Sequence, residues 1–124
     1  MKQLIVEGTK KTPHVELNPD GHVIIKGRCI MENPIPFFDP IFNWVKKCTS
    51  SALNVDIQLE YVNTGGVKQI FTLLLLIKDN SSIRDVYIHW IYEEGDDAIF
   101  ELGKEIELQI KLPFGFFELS GDLA

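Results

Sequence analysis

Cysteine is scarce in this chain. Its two cysteines, Cys29 and Cys48, lie nineteen positions apart and have neither the paired spacing of a zinc site nor that of a redox motif. Reduced structural thiols are therefore expected. Long apolar runs are missing too. The longest, Leu73 to Ile77, is far shorter than a bilayer requires. At the N-terminus Glu7 follows directly on Leu4, Ile5 and Val6, too few apolar residues for a signal-peptide core. A soluble, cytoplasmic protein without membrane insertion is expected. Positive charge is also in short supply. The net charge is −6, and residues 93–107 carry all of it, with Glu93, Glu94, Asp96, Asp97, Glu101, Glu105 and Glu107 against the single base Lys104. Elsewhere acids and bases balance without a basic stripe, which argues against nucleic acid as a partner. For the acidic segment a solvated face is the ordinary use, ahead of a metal site or a docking surface for a basic partner.

Catalytic groups are equally sparse. Hydrolysis or group transfer needs a nucleophile with a base in reach, or carboxylates with separated pKa values. The three histidines are His14 and His22, on either side of a tight turn, and His89 beside Trp90. A cross-strand pair at the turn offers two metal ligands without a third, so surface or packing roles are favoured. Gly65 and Gly66 lack the further glycine and the Gly-Lys-Ser/Thr ending of a phosphate-binding loop. No catalytic residue, metal or cofactor is assigned.

What the chain does have is enough apolar material for one sizeable core: 45% hydrophobic residues in 124, with a mean hydropathy of +0.04. A single domain spanning residues 1–124 is expected. Leu4 to Val6 is a short strand candidate. His14 to Leu17 and His22 to Arg28 flank Asn18-Pro19-Asp20-Gly21, where Pro presets φ and Gly accepts positive φ, so an N-terminal β-hairpin is predicted. The Met31 to Pro36 stretch reads as an ordered loop. Asp39-Pro40 reads as a helix start, with Asp as N-cap and Pro at the first helical position. Ile41, Trp44, Val45 and Cys48 then share one face.

Val55, Ile57, Leu59 and Tyr61 alternate with Asp56, Gln58 and Glu60, a strand with one polar face. Ile70 through Ile77 is apolar almost all round and predicts a deeply buried helix after Gly66. Arg84 to Tyr92 reads as a central strand with both faces largely covered. A third helix starts at Gly95-Asp96-Asp97 and carries Ile99, Leu102 and Ile106. Phe114 to Leu119 is a final strand, and if Phe116 and Phe117 alternate on an edge, one ring points away from the core. The order implies an α/β fold with a mixed sheet and about three crossover helices.

The junction at Leu59 to Lys68, Leu-Glu-Tyr-Val-Asn-Thr-Gly-Gly-Val-Lys, is the candidate working site. A strand there runs into a helix start, where unpaired N–H groups and the positive end of the helix dipole stabilise an oxyanion. Thr64 is placed to carry that oxyanion as a phosphate. The ordinary alternative is that Thr64 or Asn63 caps the helix, and on the junction alone the cap is favoured.

Read with its surroundings, the junction resembles the SiaC family of bacterial regulatory phosphoproteins. The residues that carry the resemblance are Gly8-Thr9, Thr12-Pro13, Gly27, Met31-Glu32-Asn33, Phe37-Phe38-Asp39-Pro40, Trp44, Tyr61-Val62-Asn63-Thr64, Lys68, Trp90-Ile91-Tyr92-Glu93-Glu94, Asp96-Asp97 and Pro113-Phe114, in that order and spacing. The resemblance implies a fold similar to the SpoIIAA and STAS-type antagonists of anti-sigma factors. It also implies a threonine phosphorylated by a partner kinase and restored by a phosphatase, in a partner-switching pathway whose unmodified form binds and activates a diguanylate cyclase, with c-di-GMP and biofilm control as the output. Thr64 stands at the phosphorylated position, and Tyr61, Asn63, Gly65, Gly66 and Lys68 form the expected partner surface around it. The chain departs from the family where two serines commonly follow the threonine, here Gly65 and Gly66, and where a Tyr-Pro pair commonly precedes Glu-Asn, here Ile30-Met31. Two rivals stand beside this expectation. One is a constitutive scaffold in which Thr64 is only a cap. The other is a small enzyme using His89 and Glu93, whose separation of roughly 13 Å along a strand argues against it.

Overall fold

The computed structural model describes residues 1–120. Strands β2 (His14–Leu17) and β3 (His22–Cys29) form the predicted hairpin, antiparallel with Leu17 opposite Val23 and Val15 opposite Ile25. The turn closes through Gly21 N–H to Asn18 O at 2.9 Å. Gly21 has φ of +104°, and a Cβ there would lie 2.2 Å from the Ala52 carbonyl oxygen, so both the dihedral and the space demand glycine. The short strand β1 (Leu4–Val6) adds antiparallel to the outer side of β2.

From β3 onward the sheet is parallel. Strands β4 (Ala52–Val62), β5 (Asp85–Glu93) and β6 (Phe114–Leu119) follow in chain order, giving six strands in the order β1-β2-β3-β4-β5-β6. The crossovers are α1 (Ile35–Lys46), α2 (Thr64–Asp79) and α3 (Asp97–Ile110). Parallel strands laid down in sequence, each joined by a right-handed crossover, put all three helices on one face. Burial agrees: Leu53, Val55, Ile57 and Leu59 of β4 are sealed beneath the helices, while Asn54, Asp56, Gln58 and Glu60 retain solvent contact on the other side. Helix α2 packs between α1 and α3 and buries Ile70, Leu73, Leu74 and Ile77, but it is not deeply buried all round as its apolar run predicts, since Leu75 is 39% exposed and Phe71 and Leu76 are half-buried on the side away from the sheet.

Two other expectations change. Helix α1 begins at Ile35 rather than at Asp39-Pro40, with Pro34 as N-cap and Pro40 inside the helix. Pro36 falls within the first turn, where a missing N–H costs nothing, and the earlier start extends the buried stripe back to Phe38, which is fully buried. Strand β5 is not covered on both faces. Ile88 and Trp90 are buried beneath the helices, but Tyr87, at 38% exposure, and the half-buried His89 and Ile91 lie on the face without helices. Phe117 points the same way from β6 and is exposed, as alternation on an edge strand requires. Among the described residues no helix is long and apolar enough to cross a membrane.

Candidate functional site

Asn63 separates β4 from α2 and is held on three sides. Its N–H donates to the Cys29 carbonyl at 3.1 Å, its Nδ2 donates to the Met31 carbonyl at 3.1 Å, and its Oδ1 accepts the Gly66 N–H at 2.9 Å. Of the two capping candidates, Asn63 is thus the cap, and Thr64 is the first helical residue. The Thr64-Gly65-Gly66 segment is therefore the first turn of α2, not a turn ahead of it. Thr64 is exposed, and its hydroxyl has no hydrogen-bond partner among the described residues. The N–H groups of Thr64 and Gly65 are also unpaired there, so the positive end of α2 opens beside the hydroxyl.

The other residues expected around Thr64 divide by position. Tyr61, at 57% exposure, carries the Arg28 guanidinium 4.9 Å from its ring centroid, and Arg28 also pairs with Glu60 at 3.3 Å. Lys68 is exposed one turn beyond Thr64 on the same helix side, and Gly65 is half-buried. Gly66 and Asn63 lie beneath this surface and support it. Gly66 is buried: a Cβ would come within 2.8 Å of both the carbonyl oxygen and the sulfur of Cys29. Burial in turn pushes the Cys29 thiol up to about 11, so it stays protonated and inert under ordinary conditions.

The histidines are organised differently from their sequence spacing. His14 aligns with Lys26, not with His22, and its Nε2 lies 2.8 Å from Glu16 Oε2. Asp56 is shared by two of them, with Oδ2 3.2 Å from His22 Nε2 and Oδ1 3.1 Å from His89 Nδ1. The last approach is close but misaligned, and His89 Nδ1 is buried without a hydrogen bond. The carboxylate beside His89 is thus Asp56 from the neighbouring strand, rather than Glu93. Asp56 escaped the sequence analysis because only the parallel register, Ile24 to Asp56 to His89, brings it there. Among the described residues no group of three or more His, Cys, Asp or Glu is arranged to hold a metal.

A mixed sheet with helices on one face, and an exposed threonine at the mouth of a helix capped by Asn63, define a small two-layer α/β protein. Residues 6–119 match the SiaC family of regulatory phosphoproteins, and the chain belongs to that family. Its relatives include an uncharacterized protein of Pseudomonas aeruginosa strain UCBPP-PA14, 26% identical over 92% of this chain and 94% of the relative. The fold superposes on SiaC of Pseudomonas aeruginosa with a TM-score of 0.86 and 25% identity, over 96% of this chain and all of the other, 100%. It also matches a chain in the crystal structure of the diguanylate cyclase SiaD in complex with its activator SiaC, from the same species, with a TM-score of 0.85 and 25% identity over 94% of this chain and 99% of that one.

Proposed function

We propose that this protein is a non-enzymatic switch, phosphorylated on Thr64 by a kinase and restored by a phosphatase, whose unphosphorylated form binds and activates a diguanylate cyclase. The observation that carries the proposal is the division of labour at the junction. Asn63 supplies the cap, which leaves the Thr64 hydroxyl exposed, unpartnered and beside two free N–H donors. A phosphate there adds roughly −1.5 to −2 charges and three acceptor oxygens to a surface, not to a core. If the partner packs closely on that surface, the phosphate must be desolvated or repelled, and binding is lost. The crystal structure pairing SiaC with SiaD supports a cyclase as the class of partner. The constitutive scaffold loses its premise, since it needs Thr64 as the cap.

The direct test is to incubate the purified protein with its kinase and ATP, follow Thr64 phosphorylation by intact mass, and measure retention of the cyclase in a pull-down. Retention falls as phosphorylation proceeds. Undiminished retention by fully phosphorylated protein overturns the proposal.

A further inference from the structure

The four strands from β3 to β6 run parallel, yet helices cover only one of their faces. Parallel sheets almost always have both faces covered. The open face carries an apolar patch along β5 and β6. Tyr87 and Phe117 are exposed, the His89 ring touches both at centroid distances of 4.7 and 5.4 Å, and the half-buried Ile24 and Ile91 continue the patch. Most charges around it are met within the sheet: His14 pairs with Glu16, Arg28 with Glu60, and Asp56 lies against both His22 and His89. Three are not. Lys26 on β3, with Asp85 and Glu93 at the two ends of β5, are exposed and have no salt bridge among the described residues. Lys26 and Glu93 look onto one depression of about 220 Å³ from either side of Gln58. The register runs from Lys26 to Gln58 to Ile91, so Glu93 is two strands away, roughly 10 Å at ~4.8 Å per strand, and one side-chain repeat further along. That separation is too long for a pair within one chain.

We infer that the open sheet face is an isologous interface with a second copy of this chain, closed by a two-fold axis that runs along β4. Charge complementarity selects both the occupant and the axis. A two-fold along β4 lays β3 of each copy over β5 of the other, with all strands pointing the same way. Lys26 then stands over the partner's Ile91, one repeat from the partner's Glu93, and His22 stands over the partner's Tyr87, one repeat from the partner's Asp85. Symmetry makes each contact twice. A two-fold across the strands would instead set the base-bearing β3 against itself, and a foreign surface of one sign would satisfy only one of the two strands. Asp56 falls near the axis, but its oxygens lie 3.2 Å from His22 Nε2 and 3.1 Å from His89 Nδ1, so the two copies of the carboxylate do not meet bare. The helices remain outermost, and Thr64, which follows the C-terminal end of β4, stays open in both copies. The inference is therefore independent of the switch at Thr64.

The test is sedimentation equilibrium of the full, unmodified chain over a concentration series up to about 1 mM. The mass is expected to rise reversibly from 14.2 kDa to twice that value. Lys26→Glu and Glu93→Lys should each weaken the dimer about tenfold or more, a loss equal to about 1.4 kcal/mol. The first makes the chain two charges more negative and the second two charges less so, and general repulsion between copies therefore cannot weaken both. Lys26→Glu combined with Glu93→Lys in one chain restores the dimer at the unchanged net charge of −6, because each reversed side chain again meets its opposite across the axis. Restoration by a second substitution cannot come from unfolding, and circular dichroism checks that the single variants are folded. Glu101→Lys on α3, in the helix layer, leaves the dimer unchanged. A monomer throughout the series, a dimer indifferent to the single reversals, a double variant as weak as the singles, or an equal loss with Glu101→Lys each overturns the inference. A dimer joined along the free edge of β6 gives the second of these outcomes.

Discussion

Gly65 and Gly66 are neighbours in the first turn of α2, yet a side chain meets different surroundings at each. At Gly66 a Cβ would lie 2.9 Å from Val62 Cγ2 and 2.8 Å from the Cys29 carbonyl oxygen, a backbone atom of the sheet that cannot swing aside. At Gly65 the nearest atom is Pro34 Cγ, at an ordinary 3.6 Å. Replacing glycine in a helix gains up to about 1 kcal/mol from propensity and a less flexible unfolded chain. Overpacking costs about 1–3 kcal/mol and outweighs that gain at Gly66. Urea unfolding should therefore show Gly66→Ala destabilised by roughly 1–2 kcal/mol. Gly65→Ser should be neutral or slightly stabilised, while restoring one hydroxyl that commonly follows the threonine in the family. A stable Gly66→Ala protein would mean that the helix start is looser than the contacts indicate. The site was legible in sequence as a place, since Asn63 and Thr64 are both capping residues at the end of an alternating strand. Which of them caps depends on a one-residue offset in the helix start. The hydrogen bonds from Asn63 to Met31 and Gly66 set that offset, and the sequence does not display them.

The helices differ in how much of their placement is local. The stripe of α3 is read directly from Ile99, Leu102 and Ile106, and its cap is Asp96, within the predicted start at Gly95-Asp96-Asp97, accepting the Ile99 N–H at 3.1 Å. What seats α3 on the sheet is less visible. Gly103 faces the Trp90 indole so closely that a Cβ would lie 2.4 Å from Nε1, and that Nε1–H donates to the Ile99 carbonyl at 2.9 Å in a buried hydrogen bond. Gly103→Ala displaces the indole and strains or breaks that bond, for an expected loss of about 2–4 kcal/mol, read by urea unfolding with tryptophan fluorescence. Leu108→Ala on the same helix, at an exposed position, should change stability by no more than about 0.5 kcal/mol. Equal effects would show that Gly103 does not anchor the element. The same dependence on non-local contacts explains two of the misread elements. Pro34, Pro36 and Pro40 look like breakers one at a time, yet the burial of Phe38 draws the helix start back among them. The apolar residues on both sides of β5 suggest two covered faces, whereas the strand order allows a helix layer on only one.

At the scale of the whole molecule, the core that drives folding and the proposed switch residue are separate parts. The apolar core lies between the sheet and one layer of helices, and Thr64 stands outside it on a turn fixed by Asn63. In the proposed switch, a phosphate on Thr64 would move the net charge from −6 to about −8 without entering that core. Binding and stability should then respond in opposite orders to substitution at one position. Thr64→Ala removes the acceptor while leaving the Asn63 cap intact, so stability should stay within about 0.5 kcal/mol of the parent. That protein should bind the cyclase permanently and resist the kinase. Thr64→Asp places a carboxylate in the first turn, where the helix dipole favours it by about 0.3–1 kcal/mol, so it should be at least as stable as the alanine variant while binding more weakly. Asn63→Ala completes the set. It removes the cap and should lose about 0.5–2 kcal/mol of stability with the acceptor still present. Thermal unfolding and cyclase affinity measured on the three variants separate the two roles, because a carboxylate with one charge imitates a phosphate only partly, whereas its effect on the helix is complete. The switch requires Ala above Asp for binding and Asp at or above Ala for stability. If affinity instead tracks stability across all three, substitution at position 64 acts through folding, and the threonine is a structural residue.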